Sequence, residues 1–319
     1  MYSLLTLGLL AASFTPGTPE FPGPPPWAPI NPIEANRSVL FAPPLMMPAE
    51  QWSTTVAYDY ASAIELYGTG LRGVLLDAEL ARLQLTLTRR IDKSWFVLGQ
   101  VAVQGAYSGF MDSFINWYHS LLGVDYFARD IRPLNKYGYH VTYELGRTIS
   151  YGPVDLGLAD SKVGIGRMFG PHLQLLLVLG IPTSTNPGYQ AGTLQTGLIA
   201  TGELGLSSWL LFTGSLGLGF TPRTGTLALY QNVFFASFSG GLRFKLTWRN
   251  FLFFNIWVQT PPYKNTNLSP MDLTDFSIDF GYIFRLSKGT EFWFSITEDP
   301  FPDGPALDVT FRLGFRAGF

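Results

Sequence analysis

The sequence predicts a transmembrane antiparallel β-barrel of about twelve strands in a bacterial outer membrane. Three observations carry that expectation. Long segments alternate apolar and polar residues with period two, the links between them are short at one end and long at the other, and the last strand stays amphipathic up to a terminal Phe319.

The alternation is clearest in the C-terminal half. Across 274–286 the even positions are Phe276, Ile278, Phe280, Tyr282, Phe284 and Leu286, and the odd ones include Ser277, Asp279, Gly281 and Arg285. Across 233–247, Phe234, Phe238, Leu242, Phe244 and Leu246 alternate with Ser237, Ser239, Gly241, Arg243, Lys245 and Thr247. Successive side chains of a strand point to opposite faces, so one face is apolar and the other polar. A β-sandwich core gives the same pattern, but soluble strands average about 5–6 residues, whereas crossing a bilayer at a tilt takes about 9–11. The segments here reach the longer class: 51–63, 73–89, 94–106, 156–168, 172–181, 192–203, 208–220, 230–247, 251–259, 274–287, 291–298 and 307–319. Asp92-Lys93, Gly170-Pro171, Leu206-Ser207-Ser208, Arg249-Asn250 and Lys288-Gly289 are short turns. Long connections fall at 107–154, 182–190, 221–226, 261–270 and 299–305. Short turns face the periplasm and long loops the exterior in such barrels. The stretch 138–154 is either a hairpin within a loop or an extra strand pair that would give fourteen strands.

Composition agrees. Hydrophobic residues make up 47% of the 319 and charged residues 14%, against about 25% charged in soluble domains. Phe, Tyr and Trp number 26, 15 and 8. After the N-terminus no apolar run approaches the roughly 20 residues of a membrane helix. A net charge of −2 gives no reason to expect nucleic acid, and the lack of cysteine excludes disulfides and thiolate metal sites. No cofactor or metal is expected, since the three histidines are scattered and no phosphate-binding loop occurs.

Residues 1–15 read as a signal-peptide-like segment, although no Lys or Arg precedes the apolar stretch. Residues 16–50 are Pro-rich, with Pro24-Pro25-Pro26 among them. Proline cannot donate to a sheet ladder, so this stretch is expected to be a periplasmic or lumenal arm leading into the barrel at 51–319. The final strand alternates from Val309 through Phe311, Leu313 and Phe315 to Phe319. It resembles the signal by which the outer-membrane assembly machinery, a transient partner, recognises barrel precursors, with Phe315 and Phe319 as its aromatic end.

With the apolar face turned to lipid, the lumen receives Arg243, Lys245, Asp279, Arg285, Glu291, Asp308, Arg312 and Arg316, joined by Glu203, Asp160 and Lys162. Buried charges must pair or stay hydrated, so these residues form either a space-filling ladder of ion pairs or a charged constriction. The segment 107–154 does not alternate. Phe110, Phe114, Trp117, Tyr118 and Leu121 recur at helical spacing, followed by Asp125, Arg129, Asp130, Arg132 and Lys136. Such a segment caps the pore, folds into it or lies at the outer-leaflet surface, and the favoured expectation is a lid or plug carrying Phe110, Asp112, Phe114, Trp117, His119, Arg129 and Arg132.

Gly109-Phe110-Met111-Asp112, then His119, Gly123, Arg129, Arg132 and Pro133, resemble the most recognisable motif of a bacterial family termed domain of unknown function 3187. Leu75-Leu76-Asp77-Ala78-Glu79 and Pro182-Thr183 fit as well, while Met111 replaces a Leu and Ser184 stands where related barrels often have Gly. The resemblance covers roughly 31–319 and implies a secreted barrel without adding a substrate.

Three functions are expected in descending order. The first is a channel or transporter for a small solute, apolar solutes included, acting as a monomer in outer-membrane lipid. The second is a structural or interaction barrel with a salt-bridged, closed lumen. The third is a lipid hydrolase, which needs a Ser–His pair with an orienting third group. His119 lies in the helical stretch, and His140 lacks a Ser-Asn-Gly partner motif.

Overall fold

In the computed structural model, residues 21–23, 25–69, 71–123, 132–144, 146–300 and 309–319 are described. The strands are β1 (Trp52–Thr69), β2 (Arg72–Arg90), β3 (Trp95–Tyr107), β4 (Gly138–Tyr143), β5 (Arg147–Ser150), β6 (Val154–Leu158), β7 (Ser161–Met168) and β8 (Leu173–Ile181). They continue as β9 (Gln195–Gly205), β10 (Leu210–Phe220), β11 (Phe234–Lys245), β12 (Asn250–Gln259), β13 (Asp275–Ser287), β14 (Thr290–Glu298) and β15 (Val309–Gly318). Twelve of them, β1–β3 and β7–β15, pair antiparallel with their neighbours, and β1 pairs with β15 to close the ring.

The outer wall follows from parity. Leu83, Leu85 and Leu87 of β2, Leu173, Leu175, Leu177 and Leu179 of β8, and Phe292 and Phe294 of β14 are all exposed, while the alternate residues are buried. A soluble protein does not leave such rows bare, but a lipid-facing wall requires them. Ring closure is sealed at the periplasmic rim. The Trp52 amide donates to the Phe319 carbonyl at 2.9 Å, and the Phe319 amide donates to Trp52 at 3.0 Å. Phe315 packs on Phe292 with centroids 4.8 Å apart. Removing Phe319 is therefore expected to reduce the compact, heat-modifiable form of the membrane-extracted protein on gels. An undiminished compact band would refute a closing role for this residue.

Short turns cap the periplasmic end. In 91–94 the Asp92 carboxylate accepts from the amides of Ser94 (2.7 Å) and Trp95 (2.9 Å). Those two N–H groups hold its carboxyl below the usual range.

The stretch 138–154 adds no strand pair to the circumference. β4 pairs with Gly73–Asp77 of β2, directly above the stretch where β2 pairs with β3, so β4 extends the position of β3 upward. β5 pairs with β4, and β6 with β3; both continue downward into β7. The upper wall is thereby lengthened, and the circumference stays at twelve.

Candidate functional site: a lumen filled by an N-terminal hairpin

Residues 25–49 lie inside the barrel as a hairpin. Its arms are joined at Trp27 and Ala42, whose amides and carbonyls exchange bonds of 3.1 and 2.8 Å. The tip is a 3-10 turn, Pro32–Arg37. It starts where Asn31 Oδ1 accepts from the Ile33 amide at 2.9 Å and is helped by a proline whose fixed φ suits a first helical position. Both ends of the hairpin point to the periplasmic rim, where β1 begins.

A proline-rich segment has few N–H groups of its own, so wall side chains satisfy its carbonyls. Arg82 donates to Ala28 and Pro29, each at 2.8 Å. Gln174 donates to the Pro44 carbonyl at 3.2 Å and accepts from the Met46 amide at 2.7 Å. Gln195 donates to the Asn36 carbonyl, Asn36 donates to Pro262 at 3.3 Å, and Arg243 donates to Pro22. Apolar contacts complete the fit. Val39, Leu40 and Phe41 pack with Leu98, Leu176, Val178 and Ile199, and Trp27 lies 4.8 Å from Trp257, centroid to centroid. The wall makes room with glycine: a Cβ on Gly197 or Gly217 would stand 3.0 or 3.2 Å from the Leu40 methyls.

Beneath and beside the hairpin lie the charges. Asp59, fully buried on β1, bridges Arg82 (2.7 Å) and Arg312. Arg243 pairs with Glu203 and donates to Thr213 Oγ1. Arg316 lies 3.4 Å from Glu291. Asp279 accepts from Thr297 at 3.0 Å and from Asn255 at 3.4 Å. The Arg285 guanidinium stands 4.9 Å over the Phe251 ring, and Lys245 is half-buried at the periplasmic end of β11. Of the lumen candidates, Asp308 falls outside the described residues. The strongest ion-pair centre, Asp59 with Arg82, was not singled out in the sequence. The alternation Tyr58-Asp59-Tyr60 carried the signal, since a carboxylate between two outward tyrosines must point inward.

The hairpin divides the lumen. Above it is a cavity of about 400 Å³ open to the exterior, and below it one of about 670 Å³ open to the periplasm. Between them lie voids of about 20 and 30 Å³, each room for a water or two. The lower cavity is lined by Glu203, Glu291, Arg285, Lys288 and Arg316. The upper one has no charged residue in its lining among the described residues. Tyr139, Tyr151, Tyr263, Val141, Ile149 and Met271 surround it, with Asn186, Gln190 and Gln231 as the amide groups and Ile33 and Asn36 as the floor.

The segment expected to be a lid is not over the lumen. The helix α1 (Asp112–Leu122) lies on the outer wall. Met111 and Ile115 are buried against Val309, Tyr60, Ile296 and Phe311. Phe110 stacks on Tyr60 at 5.6 Å, and Phe114 meets Phe311 at 6.0 Å. Phe110, Phe114 and Trp117 nevertheless keep much of their surface exposed. Asp112 accepts from the Asn135 amide at 2.5 Å, and Arg132 pairs with Asp77 at 2.7 Å, so both tie the insertion to itself and to the wall. His119 packs beside Tyr118 on α1, and Arg129 is outside the described residues. The physical reason is that the helix carries one broad apolar arc, whose Met111–Ile115 edge packs on the wall while Phe110, Phe114 and Trp117 still face lipid, and only the outer wall offers apolar surroundings to the whole arc. The lumen at this height is filled by the hairpin instead.

His140 Nδ1 lies 2.8 Å from Ser150 Oγ on the exposed β4–β5 hairpin. The described hydrogen bonds of that imidazole include none to a carboxylate, and among the described residues no cluster of His, Asp and Glu has metal-binding spacing.

A closed antiparallel ring with an apolar outer belt and a polar, occupied interior is the architecture of an outer-membrane β-barrel, and the bacterial outer membrane is where this chain resides. The chain belongs to the family described as Protein of unknown function (DUF3187), whose profile matches residues 33–319. Its fold is similar to that of the COG4313 outer membrane channel from Pseudomonas putida F1. The TM-score is 0.56 at 11% identity, covering 86% of this chain and 97% of that one. The toluene transporter TbuX from Ralstonia pickettii aligns with a TM-score of 0.41 at 10% identity, covering 86% and 92%. At 11% identity the likeness to the COG4313 channel is one of fold. No curated protein matches the sequence.

Proposed function

We propose that this barrel takes up a small, neutral, partly apolar solute into its upper cavity and passes it inward when the N-terminal hairpin yields. The observation that carries the reading is the uncharged, tyrosine-rich lining of the cavity, in a lumen whose other surfaces are studded with ions. A charged solute entering it would lose hydration without gaining a counter-ion, whereas an aromatic or hydroxylated one gains ring contacts and amide partners. Benzyl alcohol is therefore expected to bind the nanodisc-embedded protein at least about tenfold more tightly than benzoate or benzylammonium, the ratio that about 1.4 kcal/mol of uncompensated desolvation gives. Calorimetric titration reads this directly, and equal or reversed affinities would defeat the neutral-solute reading.

The ion pairs and the hairpin together favour a second reading, a permanently closed structural barrel. The two part on conductance: a hairpin that never yields leaves planar bilayers silent in every variant that keeps the barrel folded.

A further inference from the structure

The third position of the barrel wall is interrupted. β3 ends at Tyr107, opposite Glu79, and β4 takes over at Gly138, opposite Asp77. Between them the chain leaves for the outer wall as the insertion that carries α1. The neighbouring wall position is one descending run, β5 then β6, with β5 paired to β4 and β6 paired to β3. Its residues Gly152 and Pro153 fall where the third position is broken.

A wall at membrane depth has to satisfy its backbone internally. Here side chains do so in place of a strand. The Tyr137 hydroxyl sits 3.0 Å from the Tyr151 carbonyl and 2.9 Å from that of Gly152. The Tyr189 hydroxyl donates to Gly152 at 2.8 Å, and the two hydroxyls touch each other. Pro153 has no N–H to satisfy. Closure at this point of the wall depends on rotatable side chains. Inside it Tyr151 lines the uncharged upper cavity. Just below it, Leu156 and Leu158 are 62% and 48% exposed and carry the lipid-facing belt up to the break.

We infer that the break between Tyr107 and Gly138 is a side portal, latched by Tyr137 and Tyr189, through which a neutral apolar ligand moves between the outer leaflet and the upper cavity. Swinging the two phenols aside exposes two carbonyls and breaks no strand ladder. The inference rests on the neutral-solute reading above for its ligand, but its geometry can be tested without that ligand.

The chain has no cysteine, so Ile149→Cys places a single thiol in the upper cavity at a residue that makes none of the latch's hydrogen bonds. Two reagents reach it by different routes: N-(1-pyrenyl)maleimide dissolved in the bilayer, and a sulfonated methanethiosulfonate in the water outside. Adding Tyr137→Phe and Tyr189→Phe, which keep the rings and remove the hydroxyls, is expected to raise the pyrenyl labelling rate roughly tenfold. That is the effect of losing two ordinary hydrogen bonds from the closed state. The sulfonate rate should stay unchanged. No rise with the bilayer reagent, or an equal rise with both, would overturn the portal, the latter because the opening would then face water. If the double variant does not give a heat-modifiable band, Tyr137→Phe alone is expected to give a smaller rise, and none would be equally fatal. Failure of benzyl alcohol to bind would remove the proposed ligand and leave the labelling result standing, so the two ideas fail separately.

Discussion

Asp59→Asn is expected to destabilise the folded barrel by about 3–5 kcal/mol, the range for removing one partner from a buried ion pair. Asp59 is fully buried and carries two guanidinium partners, Arg82 at 2.7 Å and Arg312. Asparagine keeps the volume but leaves two cations facing each other with no counter-charge. The loss should appear as a lower urea midpoint for the compact gel form in detergent, and an unchanged midpoint would mean that water reaches the site. Changing all three together, Asp59→Leu with Arg82→Met and Arg312→Met, should cost far less, because no orphaned charge remains. That triple variant carries a further consequence. Arg82 also holds the Ala28 and Pro29 carbonyls of the hairpin, so the wall would remain while the hairpin lost two of its anchors.

The parity of the strands was legible because it is local. A polar residue between two lipid-facing apolar neighbours has to point inward, and that parity places Arg243, Arg312 and Arg316 in the lumen. Their partners were not legible, since pairing depends on register between strands far apart in the chain: Arg312 meets Asp59 across the β1–β15 closure. The hairpin was visible as a proline-rich arm, but its position was left open between periplasm and lumen. Proline carries no period, and the tip residues Ile33, Glu34 and Arg37 carry no pattern that distinguishes one compartment from the other. The helix was visible too, but its side of the wall was misjudged. Phe114 and Trp117 suggested one apolar stripe to bury. The overlooked signal was the width of that stripe: Met111 and Ile115 broaden it into an arc that packs on the wall and still presents rings to lipid. The interruption of the third position was hidden for the same reason that it matters: β4 is a short strand, far from β3 in the chain, that completes its place in the sheet.

Gly217→Leu is expected to open the lumen. At this position a Cβ already stands 3.2 Å from both Leu40 methyls and closer still to Ser237 Oγ, so a full leucine occupies the space in which the hairpin sits. Overpacking of this kind costs about 1–3 kcal/mol. The barrel wall is held by continuous strand pairing on both sides of β10, with Gly217 opposite Ser237 and Ile199. The hairpin is held to the wall by scattered side-chain bonds and apolar contacts, its backbone bridge joining only its own two arms, so it is the element that moves. Shifting the closed state by that amount raises the open fraction by about fivefold to 150-fold. Ion current in planar bilayers should rise accordingly over the wild type, and Gly217→Ala, whose single methyl leaves Leu40 room to adjust, should fall between. Joining Ser38→Cys and Gln195→Cys by a short bifunctional maleimide ties the hairpin tip to β9 at a contact whose side-chain oxygens are 3.2 Å apart, and should return the current to the wild-type level. A Gly217→Leu barrel that folds and stays silent would place the solute barrier outside the hairpin and leave the closed structural barrel as the better reading. A current that survives the cross-link would show that the leucine opens a path beside the hairpin without displacing it.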